Sequence, residues 1–501
     1  MSKASTSKRY SLDHVLKYTG VFGGVQGLTM LVSVIRNYLA SSLLGTVGFA
    51  LVGIYNSIGE FVSSTSNFGI PFSAVRHVSE LYEEAAEDKT TRFVRVVRTW
   101  CVWTACLAII VLICCSPLLA HAFSDESTTV DPLTVMLLAP MVFGMAITGG
   151  EISILKGTHR LKRVASVSAI GAISTFICTV PFYWLWHIDG IIIALDVSTL
   201  MYTLINLSFT RSVYPWRISP FSASVFREGW AMIRLGIPYV LAAIAGSGVA
   251  LALPALFIRF GTIDDAGLYR AAFVVMGSYA GIVFTALEAD YFPRLSSVNH
   301  DVVRRNFTID QQVRACVLII APLLILMMLC MPLIVRILFA PAFAPVVPMA
   351  ICACMYTFSR AITLPLGYTA LACGHSMLYL CMELIYDVAS LFIIAGGYRL
   401  WGATGAGIGL SLAGLFDMML IGVSYGYYYH IRLQGRTLTL ALLQAVILLG
   451  MIPVCMLLPS CWRIVIGIAC LLLSAGLSYN VLSRESQIIR RLKNRLRPSH
   501  S

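Results

Sequence analysis

The Lys and Arg residues of this chain lie almost entirely in every second loop between long apolar segments. About fourteen such segments are present, each ~20–27 residues long, close to the length with which an α-helix crosses ~30 Å of hydrocarbon. They lie at 18–43, 48–74, 99–121, 132–155, 165–187, 189–211, 236–258, 267–290, 313–338, 346–372, 376–398, 402–428, 438–459 and 463–482. This pattern predicts an all-α protein with about fourteen transmembrane helices.

The charge of the loops predicts the orientation of the chain in the membrane. The basic loops include 76–98, 156–163 and 483–501, whereas the opposite loops carry single arginines such as Arg259 beside acidic residues such as Asp264. Basic loops stay on the cytoplasmic side of a membrane, so we expect both chain termini inside. The N-terminus is short and polar and its first apolar run is a full-length span, which predicts no cleaved signal peptide.

Composition excludes several other classes of protein. Hydrophobic residues make up 58% of the chain, charged residues 12%, and the mean hydropathy is +0.82, which no soluble protein of this length fits. The net charge of +12 does not indicate a nucleic-acid partner, because the anionic inner leaflet accounts for basic cytoplasmic loops. The outer loops are too short for a catalytic domain, which argues against a membrane glycosyltransferase and predicts a protein that is not an enzyme.

An internal repeat recurs at a lag of about 220 residues. Residues 48–55 are similar to 266–272, and residues 69–74 to 291–296, so two six-helix halves in the same orientation are expected. Parallel repeats with the substrate site between them are a common transporter design. The predicted parts are an N-terminal lobe at 1–211, a cytoplasmic linker at 212–235, a C-terminal lobe at 236–430, a helix pair at 431–482 and a basic tail at 483–501.

Two groups of residues carry a family resemblance. The first covers the opening two spans, at 24–28, 33–40, 44–49, 55–58 and 67–76; the second is the eighth-span pattern at 267–272 and 293–296. They resemble the Wzx-type flippases of lipid-linked oligosaccharides, a branch of the multidrug/oligosaccharidyl-lipid/polysaccharide (MOP) exporter superfamily. The lipid II flippases and the cation-coupled multidrug antiporters of the same superfamily are the alternatives.

The resemblance implies a flippase that moves a polyprenyl-diphosphate-linked glycan from the inner to the outer leaflet of the bacterial cytoplasmic membrane. It implies alternating access around a cationic central cavity, no bound cofactor or metal, and Na⁺ or H⁺ as the candidate coupling ion. Membrane lipids, a polysaccharide polymerase and chain-length proteins are the further partners expected, and nucleic acid is not. The resemblance does not name the sugars or say whether O-antigen, capsule or exopolysaccharide is made.

Ionisable side chains inside the spans are the candidate site residues, because each costs ~2.5–3.5 kcal/mol on insertion scales unless it faces a cavity or a partner. Arginine donates planar, paired hydrogen bonds to phosphate oxygens, so three arginines are expected to contact the diphosphate. For Arg36 and Arg270 the alternative is snorkelling, because both lie close to the outer surface. Polar side chains of the first two spans are expected either to bond sugar hydroxyls or to bond between helices. These candidate substrate-binding residues are Arg36, Arg270, Arg360, Gln26, Asn37 and Asn56.

The acidic residues inside the spans are candidates for coupling-ion sites or charge pairs. Glu60 is expected either to pair with Arg36 or to bind a coupling ion. Glu383 and Asp387 lie one helical turn apart and share a face, so a cation site there is a second hypothesis. Asp417 and Asp387 are also possible ion-pair partners of Arg360, whereas Asp196 has no preferred role.

Two remaining patterns have structural interpretations. The glycine-rich stretch at 396–409 lacks the Lys-Ser/Thr of a nucleotide-binding loop, which favours close helix packing through small residues. The fourteen cysteines show no zinc-like spacing, although Cys455 and Cys461 lie near the outer face, where a disulfide is possible.

Overall fold

The computed structural model describes residues 12–84, 87–124, 130–219, 223–279, 281, 284, 291–292 and 294–485. Within these ranges the regular elements are helices and no strand is found. The α-helices are α1 Leu12–Ser66, α2 Ile70–Glu83, α3 Glu87–Phe123, α4 Pro132–Met136, α5 Ala139–Gly157, α6 Leu161–Trp186, α7 Gly190–Arg211, α8 Ala223–Phe260, α9 Ile263–Phe273, α10 Val302–Leu338, α11 Val346–Ala372, α12 Ser376–Tyr429, α13 Gly435–Leu457 and α14 Ser460–Glu485.

Eleven helices in the described part of the chain are long and apolar enough to cross a membrane, which confirms an all-α, multi-pass membrane protein. The count of fourteen spans stays a prediction. Helices α1 and α12 each combine two predicted spans across a kink. The eighth predicted span begins as α9 and continues into a π-helical turn at Val274–Tyr279, beyond which only scattered residues are described.

Glycine makes both kinks possible. Gly45 in α1 has φ 67° and ψ −167°, and Gly402 in α12 has φ 61° and ψ −147°. These backbone angles are accessible almost only to glycine, because any Cβ would clash with the backbone. At each kink, two apolar segments therefore follow one another with hardly any intervening loop.

The glycine-rich stretch of α12 packs the two halves of that helix together. The backbones of Gly397 and Gly405 approach so closely that a Cβ on either would meet the other's carbonyl oxygen. A Cβ on Gly409 would lie 2.8 Å from the Cα of Ile394, and one on Gly407 would meet the carbonyl oxygen of Met349 in α11. The interpretation of this stretch as a packing surface is confirmed.

The chain forms two compact units. Unit 1 contains the chain up to Leu44 together with Tyr55–His121 and Val130–Val240. Unit 2 contains Gly45–Ile54, a short segment beginning at Ala122, and the chain from Leu241 onwards. The boundary between the contact-defined units therefore falls within α8.

In unit 1, α5 packs against α2 and α7, and α6 packs against α7. The core between them includes Ile70 and Ala74 of α2, Val97 and Ala105 of α3, and Ile154 of α5. The segment after α7 returns to α3, where Trp100 donates from Nε1 to the carbonyl oxygen of Val225 at 3.1 Å. Residues within the predicted linker thus pack on the helices of unit 1.

In unit 2, α11 packs against both halves of α12 and against α10, and α13 and α14 also pack on α10. The last two helices share a buried polar contact, in which Ser474 donates to the side-chain oxygen of Gln444 at 2.6 Å. Gly45–Ile54, the part of α1 that follows the kink, packs on α9. Thr46 donates a hydrogen bond to Asp264, and Phe49 meets the rings of Phe339 and Phe343 edge-on.

Candidate functional site

A cavity of about 180 Å³ lies in unit 2, where α11 faces both halves of α12. Its wall combines charged residues, tyrosines, a threonine and small or aliphatic residues. The lining residues are Arg360, Thr363, Leu364, Gly367, Tyr368, Leu371, Tyr379, Glu383, Tyr386, Asp417 and Ile421.

Helical periodicity brings these side chains to the same wall. Arg360, Thr363 and Gly367 follow one face of α11 at spacings of three and four residues. Glu383 lies one turn from Tyr379 in the first half of α12, and Asp417 lies one turn from Ile421 in the second half. Because of the kink at Gly402, both halves of α12 contribute side chains to the cavity wall.

Arg360 is held on its own helix. Its Nη1 donates to the hydroxyl of Tyr356 at 3.0 Å, and its Cζ lies 5.8 Å from the centroid of the Tyr356 ring. Tyr386 and Asp417 are near enough to interact with it electrostatically. The side chain remains exposed, although its helix is otherwise among the most buried of the molecule. The guanidinium therefore reaches the open space of the cavity.

The carboxylates of the cavity also have hydroxyl neighbours. The hydroxyl of Thr363 lies near Asp417, and the hydroxyl of Tyr379 lies near Glu383. The lining thus presents one guanidinium and two carboxylates, and each of these groups has a hydroxyl group beside it. Of the two predicted partners of Arg360, Asp417 is the one that shares its cavity.

Tyr368, at one side of the cavity, packs against the rings of Tyr291 and Phe292. Its ring centroid lies 6.3 Å from that of Tyr291 and 5.6 Å from that of Phe292. Tyr291 donates from its hydroxyl to the carbonyl oxygen of Pro365 at 2.7 Å, which ties it to α11. The position of Tyr368 is therefore set by packing from outside α11 as well as by its own helix.

Asp387 lies one turn beyond Glu383 on α12 but is not part of the cavity lining. It is 8% exposed and faces Gly246 of α8, where a Cβ would lie 3.8 Å from its Oδ2. Glu383 and Asp417 are its electrostatic neighbours. The predicted pair of carboxylates is thus split between a cavity wall and a buried helix contact.

The other two arginines lie in different units. Arg270 of α9 is half-buried in unit 2, with its Cζ 5.4 Å from the centroid of Phe49 and its side chain packed against Gly53. Arg36 of α1 is half-buried in unit 1, and among the described side chains it forms no ion pair. The structure therefore shows no Arg36–Glu60 pair within its described part.

The remaining predicted residues belong to unit 1. Asn37 and Asn56 are half-buried and Glu60 is exposed, and all three have polar neighbours. The side chain of Gln26 lies outside the described residues. Asp196 accepts a hydrogen bond from the backbone N–H of Met141 at 3.0 Å, which anchors the first turn of α5 to α7.

The structure adds site residues that were not predicted from the sequence. Tyr356, Tyr379, Tyr386 and Thr363 surround the charged groups of the cavity. Tyr379 and Tyr386 flank Glu383 at helical spacing, which is the signal that could have identified them. Cys455 and Cys461, for which the sequence left a disulfide open, are free thiols.

The fold is similar to that of solved membrane transporters. The lipid II flippase MurJ in an inward closed conformation matches with a TM-score of 0.63 and 15% identity, over 92% of this chain and 99% of that chain. An inward-facing multidrug resistance MATE family transporter of the MOP superfamily matches with a TM-score of 0.63 and 13% identity, over 82% and 98% of the two chains. The Vibrio cholerae MATE transporter VcmN in its bent form matches with a TM-score of 0.53 and 14% identity, over 82% and 98%.

These likenesses show that the chain has the same fold as these solved transporters. No curated protein sequence matches the chain. A family model described as "polysaccharide biosynthesis protein" matches residues 40–348, which is more than half of the chain. The chain therefore belongs to the polysaccharide biosynthesis protein family.

Proposed function

We propose that this protein flips polyprenyl-diphosphate-linked oligosaccharide from the inner to the outer leaflet of the bacterial cytoplasmic membrane by alternating access. The observation that carries the proposal is the combination of two findings. The family match assigns the chain to polysaccharide biosynthesis, and the fold is that of transporters. A transporter used in polysaccharide biosynthesis has a lipid-linked saccharide as its natural cargo.

Charged groups at membrane depth fit this cargo. A diphosphate loses its hydration when it leaves the aqueous leaflet surface, and arginines replace that hydration with paired hydrogen bonds. We assign this role to Arg36 and Arg270, and we assign the adjoining part of the substrate to Arg360, whose cavity also contains carboxylates. Gln26, Asn37 and Asn56 are proposed to bond sugar hydroxyls.

Coupling to a cation gradient is the second element of the proposal. Asp387 is a buried carboxylate between α12 and α8 with Glu383 one turn away, and a buried acidic group in a membrane binds a proton or a cation most readily. We propose Asp387 as the coupling residue for H⁺ or Na⁺. Measuring flipping after collapse of the H⁺ gradient or of the Na⁺ gradient identifies the coupling ion. The same measurement on Asp387→Asn tests the assignment of this residue.

Two related functions compete with this one. The matched MurJ structure is named a lipid II flippase, and the matched MATE structures are named multidrug transporters. Efflux of cationic dyes that depends on Glu60 would favour the multidrug alternative. Rescue of cells that lack their own lipid II flippase would favour the lipid II alternative.

The test is the leaflet distribution of polyprenyl-diphosphate glycans in cells, labelled from the outer face. The variants Arg36→Ala, Arg270→Ala and Arg360→Ala are compared with wild type at matched expression, and Arg92→Ala, an exposed position in a predicted cytoplasmic loop, is the control. We expect at least one of the three to lose outer-leaflet glycan while the control retains it. Deletion of the protein without accumulation of inner-leaflet glycan would contradict the function itself.

A further inference from the structure

We propose that the cavity between α11 and α12 is a saccharide subsite that takes one neutral or amino sugar residue of the cargo and excludes acidic sugars. The inference rests on the proposed flippase function. It adds the chemical class of the sugar that this chain selects, and it names the residues that select it.

The size of the cavity limits the ligand to one ring. Pockets that bury drug-sized molecules measure roughly 300–1,000 Å³, and this cavity measures about 180 Å³. A chain of several sugars does not fit inside it. A single pyranose ring, with the rest of the glycan outside, matches its scale.

The lining offers what a hydroxyl-rich ring needs. A sugar hydroxyl both donates and accepts hydrogen bonds, and the cavity supplies both partners. Glu383 and Asp417 accept, Arg360 donates, and Tyr386 does either. The ring of Tyr368 adds an apolar surface for the C–H face of the sugar, since a tyrosine combines an apolar body with a polar tip.

Neighbouring side chains hold these groups in place before a ligand arrives. Tyr356 accepts a hydrogen bond from Arg360, Thr363 lies beside Asp417, and Tyr379 lies beside Glu383. Because the side chains are anchored, binding a sugar orders few additional rotamers, which lowers the entropic cost of association. An anchored polar wall of this kind discriminates between ligands by the groups they carry.

Charge determines which sugars are accepted. The lining holds two carboxylates and one guanidinium, and Arg360 lies within electrostatic range of Asp417. A carboxylate on a uronic acid would lie close to like charges in a medium of low dielectric constant, which is unfavourable. An ammonium group on an amino sugar would be attracted. A diphosphate is disfavoured for the same reason as a uronic acid, so Arg360 is assigned to the saccharide.

Gly367 provides a steric test of the site. A Cβ at this position would have only Cδ1 of Ile421 nearby, at 3.9 Å, so the cavity has room for an added side chain there. Gly367→Leu should fill the cavity without disturbing the helix packing. Gly422→Leu is the matched control, because a Cβ on Gly422 of α12 meets no atom within 4 Å and the position does not line the cavity.

The experiment is saturation-transfer difference NMR on the purified protein in lipid nanodiscs. The probes are the methyl glycosides of glucose, glucosamine and glucuronic acid at millimolar concentration. We expect the first two to bind at least about tenfold more tightly than the third. Gly367→Leu should abolish their signals and Gly422→Leu should not. Glu383→Gln combined with Asp417→Asn should admit the glucuronide, whereas Glu80→Gln, an exposed cytoplasmic change, should not.

Equal binding of all three probes, no binding of any, or binding that survives Gly367→Leu would overturn the subsite. The leaflet assay distinguishes this failure from a failure of the proposed function. If wild type flips the lipid-linked glycan and Gly367→Leu does so equally well, the subsite is wrong and flipping stands. If the probes bind as expected but deletion of the protein leaves leaflet distribution unchanged, the subsite stands and flipping is wrong.

Discussion

Arg98 and Glu151 form a buried ion pair in unit 1, with Nε 2.9 Å from Oε1 and both side chains 1% exposed. Arg98 also donates to the carbonyl oxygens of Tyr214 and Pro215, just after α7. It therefore joins α3, α5 and the segment that follows α7.

Unit 2 repeats the carbonyl contacts of this arrangement with a different arginine. Arg305, near the start of α10, donates to the carbonyl oxygens of Asn299 and of Tyr429, the last residue of α12. In each unit, an arginine of the helix that contains the third predicted span donates to at least one carbonyl oxygen at or just after the end of the sixth. The buried Asp310–Arg314 pair lies on the same helix. The internal repeat read from the sequence thus extends to the way in which each unit is anchored.

Removal of Arg98 should destabilise the protein strongly. Arg98→Ala leaves the Glu151 carboxylate buried without its partner, which costs about 3–5 kcal/mol in the free energy of unfolding. Arg92→Ala is the control, because its pair with Glu228 has 65% and 34% exposed side chains and such pairs contribute about 0–1 kcal/mol. Thermal unfolding of the purified variants in detergent measures the difference. Equal losses would contradict the structural role, and Arg98→Met with Glu151→Leu should recover part of the stability.

Because the two halves of α12 pack closely at Gly405 but not at Gly422, alanine substitutions at these two glycines should have opposite effects on stability. Gly405→Ala places a methyl group against the carbonyl oxygen of Gly397 and should cost about 1–3 kcal/mol through overpacking. Gly422→Ala meets no neighbour and should stabilise the helix by about 0.5–1 kcal/mol through propensity alone. Unfolding temperatures measured side by side test the contrast. A neutral Gly405→Ala would mean that the two halves of α12 pack differently.

Backbone conformation alone should decide the effect of a substitution at the first kink. A Cβ on Gly45 meets no atom within 4 Å, but its φ of 67° belongs to glycine. Gly45→Ala should therefore cost about 1–3 kcal/mol through backbone strain. Gly27→Ala, on the same helix and equally free of neighbours, should be neutral or stabilising. Cell-surface polysaccharide and thermal unfolding are the readouts, and equal behaviour of the two variants would refute a kink at Gly45.

Cysteine labelling tests the orientation in the membrane. Cys461 is exposed at the start of α14 and Cys455 is buried in α13, and both are free thiols. In single-cysteine variants, a membrane-impermeant maleimide added to intact cells should label Cys461 and leave Cys455 unlabelled. Labelling of Cys461 only after the cells are opened would reverse the predicted topology.

Parts of the candidate site were predictable because they depend on local spacing. The separation of four residues between Glu383 and Asp387 places both on one helical face in any structure that keeps the segment helical. The same rule does not say which of the two meets a cavity. Glu383 lines it and Asp387 packs against Gly246 because of how α8 and α11 pack on α12, and Gly246 lies more than a hundred positions before Asp387.

Charge pairing was the least predictable feature. The sequence placed Arg98 in a basic cytoplasmic loop, and the fold buries it against a residue 53 positions further along the chain. Arg360 had two plausible acidic partners, Asp387 and Asp417, and the kink at Gly402 brings the second half of α12 back to the cavity. Pairs of this kind are decided by helix–helix packing, for which periodicity in a single segment carries no information.

The sequence by itself determined which segments lie in lipid and which lie in water. Apolar length, loop charge and glycine placement define helices in a lipid bilayer, because the hydrocarbon forces every backbone polar group to be paired within the chain. The tertiary structure decided which side of each helix faces another helix, a cavity or lipid. In a bilayer the surfaces that face lipid and the surfaces that face another helix are both apolar, so close fit, buried hydrogen bonds and kinks, rather than hydrophobicity, select between them.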